Sequence, residues 1–200
     1  MSDRVNVFYA EIPDVIGNYA IFPLRQEEVN AATNPKVKLE KYWSWVLLER
    51  IFEQIGLNVA ELHPCRGADK KWRFDGVYAS ISHSHGVTSV AISNINCGVD
   101  LQQRSDESFN LNLAERILTK NELLTYSNKK EEEDKSAYLL EAWTKKESIF
   151  KMADSALAFN EIECEAFNTF TAKLQLFGKE YCLSVAASGS FDVVVKKIKL

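Results

Sequence analysis

The stretch "WTKKESIFKM", from Trp143 to Met152, decides how the rest of the chain is read. Wound as a helix, it places Trp143, Lys146, Glu147, Phe150 and Lys151 on one side, at i, i+3, i+4, i+7 and i+8. That side is apolar and charged at once. A face packed on a core has no use for two lysines and a glutamate, and a face turned to water has none for a Trp and a Phe. On an exposed helix Glu147 and Lys151 would form an i,i+4 ion pair worth about 0.3–0.5 kcal/mol. A pair pressed against aromatic rings is partly desolvated and needs further partners, which a metal ion and a phosphate would supply. On that reading Glu147 holds a cation, while Lys146 and Lys151 face anionic oxygens.

Outward from this helix, which the pattern predicts from Lys135 to Lys151, the chain shows the same order of elements twice. "RVNVFYAEI" alternates like a half-buried strand, and "KLEKYWSWVLLERIFEQI" carries an apolar stripe that ends at Gly56, the first long helix. "VYASISHS" and "VTSVAISN" read as two strands about a turn at His85 and Gly86, and "CGVDLQQ" as a third. "LNLAERIL" is helical, and Thr119 with Glu122 makes a capping box for the next helix. "NKKEEEDK" reads as a polar loop. "EIECEAFNTFTAKLQLF" and "EYCLSVAASGSFDVVVKKIKL" close the chain as strands, with turns at Gly178 and Gly189. "SVAIS" at 89–93 is echoed by "SVAAS" at 184–188, so the expectation is an α+β protein of two similar subdomains, 1–105 and 106–200, with a ligand in the cleft between them.

Composition narrows the classes. A chain of 200 residues with 46% hydrophobic and 26% charged residues is ordinarily globular. The net charge of −4 argues against a general nucleic-acid binder, while leaving room for a local basic pocket for phosphates. Cys65, Cys97, Cys164 and Cys182 form no CxxC pair, and are expected to be buried and reduced. The opening residues lack the basic start and apolar run of a signal peptide, and no stretch reaches membrane-span length, so a cytoplasmic protein is expected, and two halves fused in one chain suggest a monomer.

Three further stretches carry candidate chemistry. On a strand "CGVDLQQ" turns Asp100 and Gln102 to one face and Val99 and Leu101 to the other. Asp100 is either a simple strand-end residue or, with Glu147 and the Gln102 amide oxygen, part of a magnesium site. "SISHSHG" holds His83 between two serines at a strand end, where hydroxyls and imidazole suit a phosphate. A Ser-His nucleophile is disfavoured, since neighbours on a strand face opposite ways. "NPKVKLEK" sets Lys36, Lys38 and Lys41 at a helix start, where they are either anion-binding or simply solvated.

Taken together, "SISHS", "GVDLQ", "ERILTKNE" and "WTKKESIFK" resemble, in order and spacing, the motifs of 4'-phosphopantetheinyl transferases of the larger, surfactin-synthetase-activating type. The last is the most specific: a Trp, a short gap, Lys-Glu, and a Lys four residues after the Glu. The resemblance implies a pseudo-twofold pair of α+β subdomains that bind coenzyme A and magnesium between them. It implies transfer of the phosphopantetheine arm to a serine of an acyl or peptidyl carrier protein, with release of 3',5'-adenosine bisphosphate. By motif position Asp100 and Glu147 would hold magnesium, with the Gln102 oxygen beside them; Glu147, or a water held by the metal and Glu147, is the available base. Lys151 would neutralise a phosphate oxygen. Ser82 and His83 would contact the coenzyme's phosphates, Lys41 the adenosine 3'-phosphate, and Arg25 and Lys70 or Lys71 would add contacts. Gln102 stands where many members have a second acid, so a non-catalytic relative that binds coenzyme A or a carrier protein is the alternative.

Overall fold

The computed structural model describes residues 3–67, 69–105, 109–153 and 158–200. Strand β1 (Asp3–Glu11) leads to helices α1 (Pro23–Ala31) and α2 (Pro35–Gln54). The Asn34 side chain caps α2 by accepting from the N–H groups of Lys36 and Val37, with Pro35 in the first helical position. Gly56, at φ +77°, lets the chain turn left-handed as the helix ends. A short hairpin, β2 (Cys65–Arg66) and β3 (Trp72–Arg73), precedes β4 (Tyr78–Ser84), β5 (Val87–Ser93) and β6 (Cys97–Gln103). Helices α3 (Leu111–Ile117), α4 (Lys120–Ser127) and α5 (Glu132–Met152) follow, then β7 (Asn168–Leu176), β8 (Lys179–Ala187) and β9 (Phe191–Lys197). The fold is α+β.

The strands form two larger sheets, ordered β4-β5-β1-β9 and β6-β8-β7. Strand β6, from the first half of the chain, pairs with β8, and β9, from the second half, pairs in parallel with β1. The connectors that carry the chain from one sheet to the other touch, Ser188 N–H donating to Asn96 O at 3.0 Å. Val5, Val7, Val87 and Ala91 of the first sheet pack on Val99, Leu101, Leu183 and Val185 of the second. On its outer face the first sheet carries α2, with Tyr42, Trp45 and Phe52 against Ala10, Val90 and Ile92. On its outer face the second carries α5, through Leu139, Leu140 and Ile149. The result is four layers, helix, sheet, sheet, helix. Among the described residues no helix is long and apolar enough to cross a membrane.

Both hairpins that flank the core turn on two residues at positive φ. These are His85 (45°) and Gly86 (81°) between β4 and β5, and Phe177 (53°) and Gly178 (69°) between β7 and β8. Thr119 and Glu122 form the capping box expected of α4. The polar run before α5 is partly helical: Glu132, Glu133 and Asp134 make its first turn, where acids suit the positive end of the helix dipole. Residues 161–167, expected as strand, instead hold the end of one 3-10 turn (Phe159–Glu161) and a second (Cys164–Ala166) before β7 begins at Asn168. Of the cysteines, Cys97 and Cys182 are buried as expected, whereas Cys65 is exposed and Cys164 half-buried; all four are free.

Two contacts bind the layers where the site forms. Along the seam between sheets, Ser80, Ser82 and Ser84 of β4 accept the backbone N–H groups of Val99, Leu101 and Gln103 of β6, at 3.0, 3.1 and 3.1 Å. The backbones of both strands are already paired on their other sides, so serine hydroxyls supply the missing acceptors. Behind β6, helix α5 lies directly on Gly98, where a Cβ would stand 2.0 Å from Ser148 O.

Candidate active site

The seam and the close approach at Gly98 bring β4, β6 and α5 together around Asp100. Its side chain is buried, at 8% exposure. Oδ1 accepts from Ser82 Oγ at 2.8 Å and from Lys151 Nζ at 2.7 Å, and Lys151 also donates to Val99 O at 3.1 Å. Oδ2 is buried and has no hydrogen-bond partner among the described residues. One turn before Lys151 on α5, Glu147 lies within reach of both charges. Burial is the largest influence on its carboxyl and raises the pKa; Lys151 pulls it back and Asp100 pushes it further up. A carboxylate whose proton affinity is raised in this way is suited to taking a proton.

His83, next along β4, connects this cluster to the first half of the chain. Its Nδ1 lies 3.4 Å from Glu40 Oε2 of α2. Burial, then the charges of Lys151 and Arg25, pull the imidazole down to about 4, so it is neutral at neutral pH. Arg25 of α1 is buried against Trp45, bonded to Glu28 at 2.7 Å and to Lys41 O at 3.1 Å. Burial and the Arg66 charge lower its pKa to about 10, and it remains a cation. Lys41 Nζ reaches Glu28 O at 3.4 Å, and Arg66 of β2 pairs with the Glu28 carboxylate. Three cations thus gather about one glutamate beside His83, a natural seat for anionic oxygens. From the loop between β2 and β3, Lys71 caps the last turn of α5 through Phe150 O at 2.7 Å and Ala153 O, with its ammonium 5.2 Å from the Phe150 ring centre.

One expectation is corrected. Lys146 does not face phosphate. It is fully buried, donating to Phe159 O at 3.0 Å and Ile162 O and pairing with Glu122 at 2.8 Å. The aromatics go with it: Trp143 and Phe150 stack on Phe159 with ring centres 5.5 and 5.8 Å apart. The mixed face of α5 is therefore two adjoining strips, Glu147 with Lys151 on one and an aromatic lid over a structural lysine on the other. Ser82 is turned inward, with its hydrogen directed to Asp100 Oδ1. Gln102 shares the Asp100 face of β6 and is half-buried. Glu40, Glu28 and Arg66 went unrecognised in the sequence, since their roles depend on partners brought up by α1 and by a hairpin of two-residue strands.

The donor set suits a hard divalent cation. Asp100 offers an unpartnered buried oxygen, Glu147 a second carboxylate close by, and Gln102 a neutral oxygen on the same face. Among the described residues no cluster of three or more His, Cys, Asp or Glu side chains forms, so protein carboxylates alone would not complete the shell.

The family model for the 4'-phosphopantetheinyl transferase superfamily matches residues 96–195, half of the chain, and the chain belongs to that superfamily. The matched span opens one residue before β6 and contains Asp100, Gln102, Glu147 and Lys151; Arg25, Lys41, Ser82 and His83 lie outside it. No curated protein matches the chain. The superfamily takes coenzyme A as substrate and acts on carrier proteins.

Proposed function

We propose that the chain is a magnesium-dependent 4'-phosphopantetheinyl transferase of the larger type. It would move the phosphopantetheine arm of coenzyme A onto a serine of an acyl or peptidyl carrier protein. The observation that carries this reading is Asp100 Oδ2, a buried carboxylate oxygen without a partner among the described residues, beside Glu147 and inside the span that matches the superfamily. Asp100, Glu147 and the Gln102 oxygen would hold magnesium, which when bound neutralises charge on the pyrophosphate. Lys151, already on Asp100, is placed to share its charge with an incoming phosphate oxygen. Arg25, Lys41 and Lys71 would seat the remaining phosphates. Glu147 takes the proton as the carrier serine oxygen bonds to the phosphorus of the arm. The bond from that phosphorus to the adenosine 5'-phosphate breaks, and 3',5'-adenosine bisphosphate leaves.

On this reading the halves 1–105 and 106–200 are related units about a pseudo-twofold axis, with the site in the cleft where they meet. Each has a long helix, a hairpin on two positive-φ residues, and a third strand given to the other sheet. The register supports it: Ser82 lies opposite Ser89, and Thr171 opposite Ser184, at the start of the two echoed segments. Both halves of the site lie in one chain, so a monomer suffices.

The absence of a third acid at Gln102 favours one other reading, a non-catalytic relative that binds coenzyme A or a carrier protein. Intact mass of an apo carrier protein decides between them, after incubation with this protein, coenzyme A and magnesium, with and without chelator. A magnesium-dependent gain equal to the phosphopantetheine arm is expected. No gain across several carrier proteins, with coenzyme A still bound, would replace the transferase with the binding module.

A further inference from the structure

We infer that Ser82 is a positioning residue for the metal-binding carboxylate of Asp100, and not a contact of the coenzyme's phosphates. The inference rests on the metal reading above. A serine hydroxyl has one hydrogen to give and two lone pairs to offer. Ser82 Oγ accepts the Leu101 N–H at 3.1 Å and gives its hydrogen to Asp100 Oδ1 at 2.8 Å. An ionised phosphate oxygen is an acceptor only, so bonding one would oblige Ser82 to abandon Asp100. With 5% of its surface exposed, Ser82 also has little access to a ligand.

The neighbouring rungs of the seam show what is particular to this one. Ser80 and Ser84 accept β6 amides just as Ser82 does, at 3.0 and 3.1 Å. Among the described residues neither donates to a carboxylate; Ser84 pairs with His85 Nδ1 instead, at 2.9 Å. The middle rung alone joins β4 to the charge of the site. Ser82 and Lys151 together saturate Oδ1, which fixes the carboxylate and leaves Oδ2 as the oxygen for a cation. Such outer partners of a ligating group govern how well it binds metal.

The test separates metal binding from coenzyme binding. Mn2+ uptake is followed by electron spin resonance with saturating coenzyme A, and coenzyme A binding by calorimetry in chelator, for the wild type, Ser82→Ala and Ser80→Ala. We expect Ser82→Ala to weaken Mn2+ binding about tenfold or more, the range seen on loss of a metal ligand's hydrogen-bond partner. Its coenzyme A affinity in chelator should be unchanged, and Ser80→Ala, which also loses a rung, should change neither. Should Ser82→Ala not fold, Ser82→Thr, which keeps the hydroxyl, should bind Mn2+ as the wild type does; failure to do so overturns the inference. Loss of coenzyme A affinity with Mn2+ binding kept would make Ser82 a phosphate contact. Equal Mn2+ binding by wild type and Ser82→Ala overturns the inference alone, whereas no uptake by the wild type overturns the metal reading and the inference with it.

Discussion

At the scale of single residues, Glu147 and Lys146 are chain neighbours with opposite fates. Glu147→Gln keeps shape and removes the proton acceptor, so transfer should fall at least about 100-fold while the melting temperature holds. The base must be deprotonated to act, so kcat/KM should fall as pH drops and Glu147 takes on a proton, a step that burial moves to higher pH and bound magnesium would move back down. A pH profile without that acidic limb would remove Glu147 from the role. Lys146→Met leaves Glu122 and two carbonyls without their cation, and should cost about 3–5 kcal/mol in denaturant unfolding while the folded fraction still binds coenzyme A. A phosphate-binding lysine would give the reverse pattern. Glu147 was legible because charge on an otherwise apolar face announces itself, and Asp100 because it lies with Gln102 on the face of its strand opposite the apolar Val99 and Leu101. The seat of Lys146 was not, since its partners are Glu122, a helix away, and two carbonyls at a 3-10 turn, Phe159 O, to which no element was assigned, and Ile162 O, in a segment expected as strand.

Among elements, the placing of α5 on β6 matters most, and it depends on one missing side chain. Gly98→Ala puts a methyl group 2.0 Å from Ser148 O, a backbone atom that cannot swing aside. The helix must lift, carrying Glu147 and Lys151 away from Asp100. We expect a loss of about 1–3 kcal/mol by thermal melting, together with weakened metal binding, even though no ligating atom has changed. Full activity in Gly98→Ala would show that the site tolerates movement of α5. Strands β4, β5 and β6 were legible from alternation and from the His85-Gly86 turn, and both long helices from their stripes. Helix α1 was not, because only Arg25 and Val29 of its nine residues are buried, and β2 and β3, at two residues each, are too short for any period to show. That β4 presents serines to the edge of β6 is a matter of which sheets meet, which alternation does not encode.

For the whole molecule, the exchange of β6 and β9 sets how it unfolds. Each sheet contains a strand from the other half, so neither core survives the loss of its neighbour. Unfolding in urea should be a single transition, with tryptophan fluorescence and far-ultraviolet dichroism superimposable. Two separate midpoints would mean that the halves are independent after all. The main strands and the long helices were legible in order along the chain; which sheet β6 and β9 each join was settled by pairings across nearly the whole length of the chain, as between β1 and β9. The exchange has a practical consequence. If the polypeptide is severed between residues 105 and 106, each fragment carries a strand that only the other can complete. The two pieces, inert apart, should recognise one another when produced together and restore the joint site, so that activity becomes a reporter of their encounter.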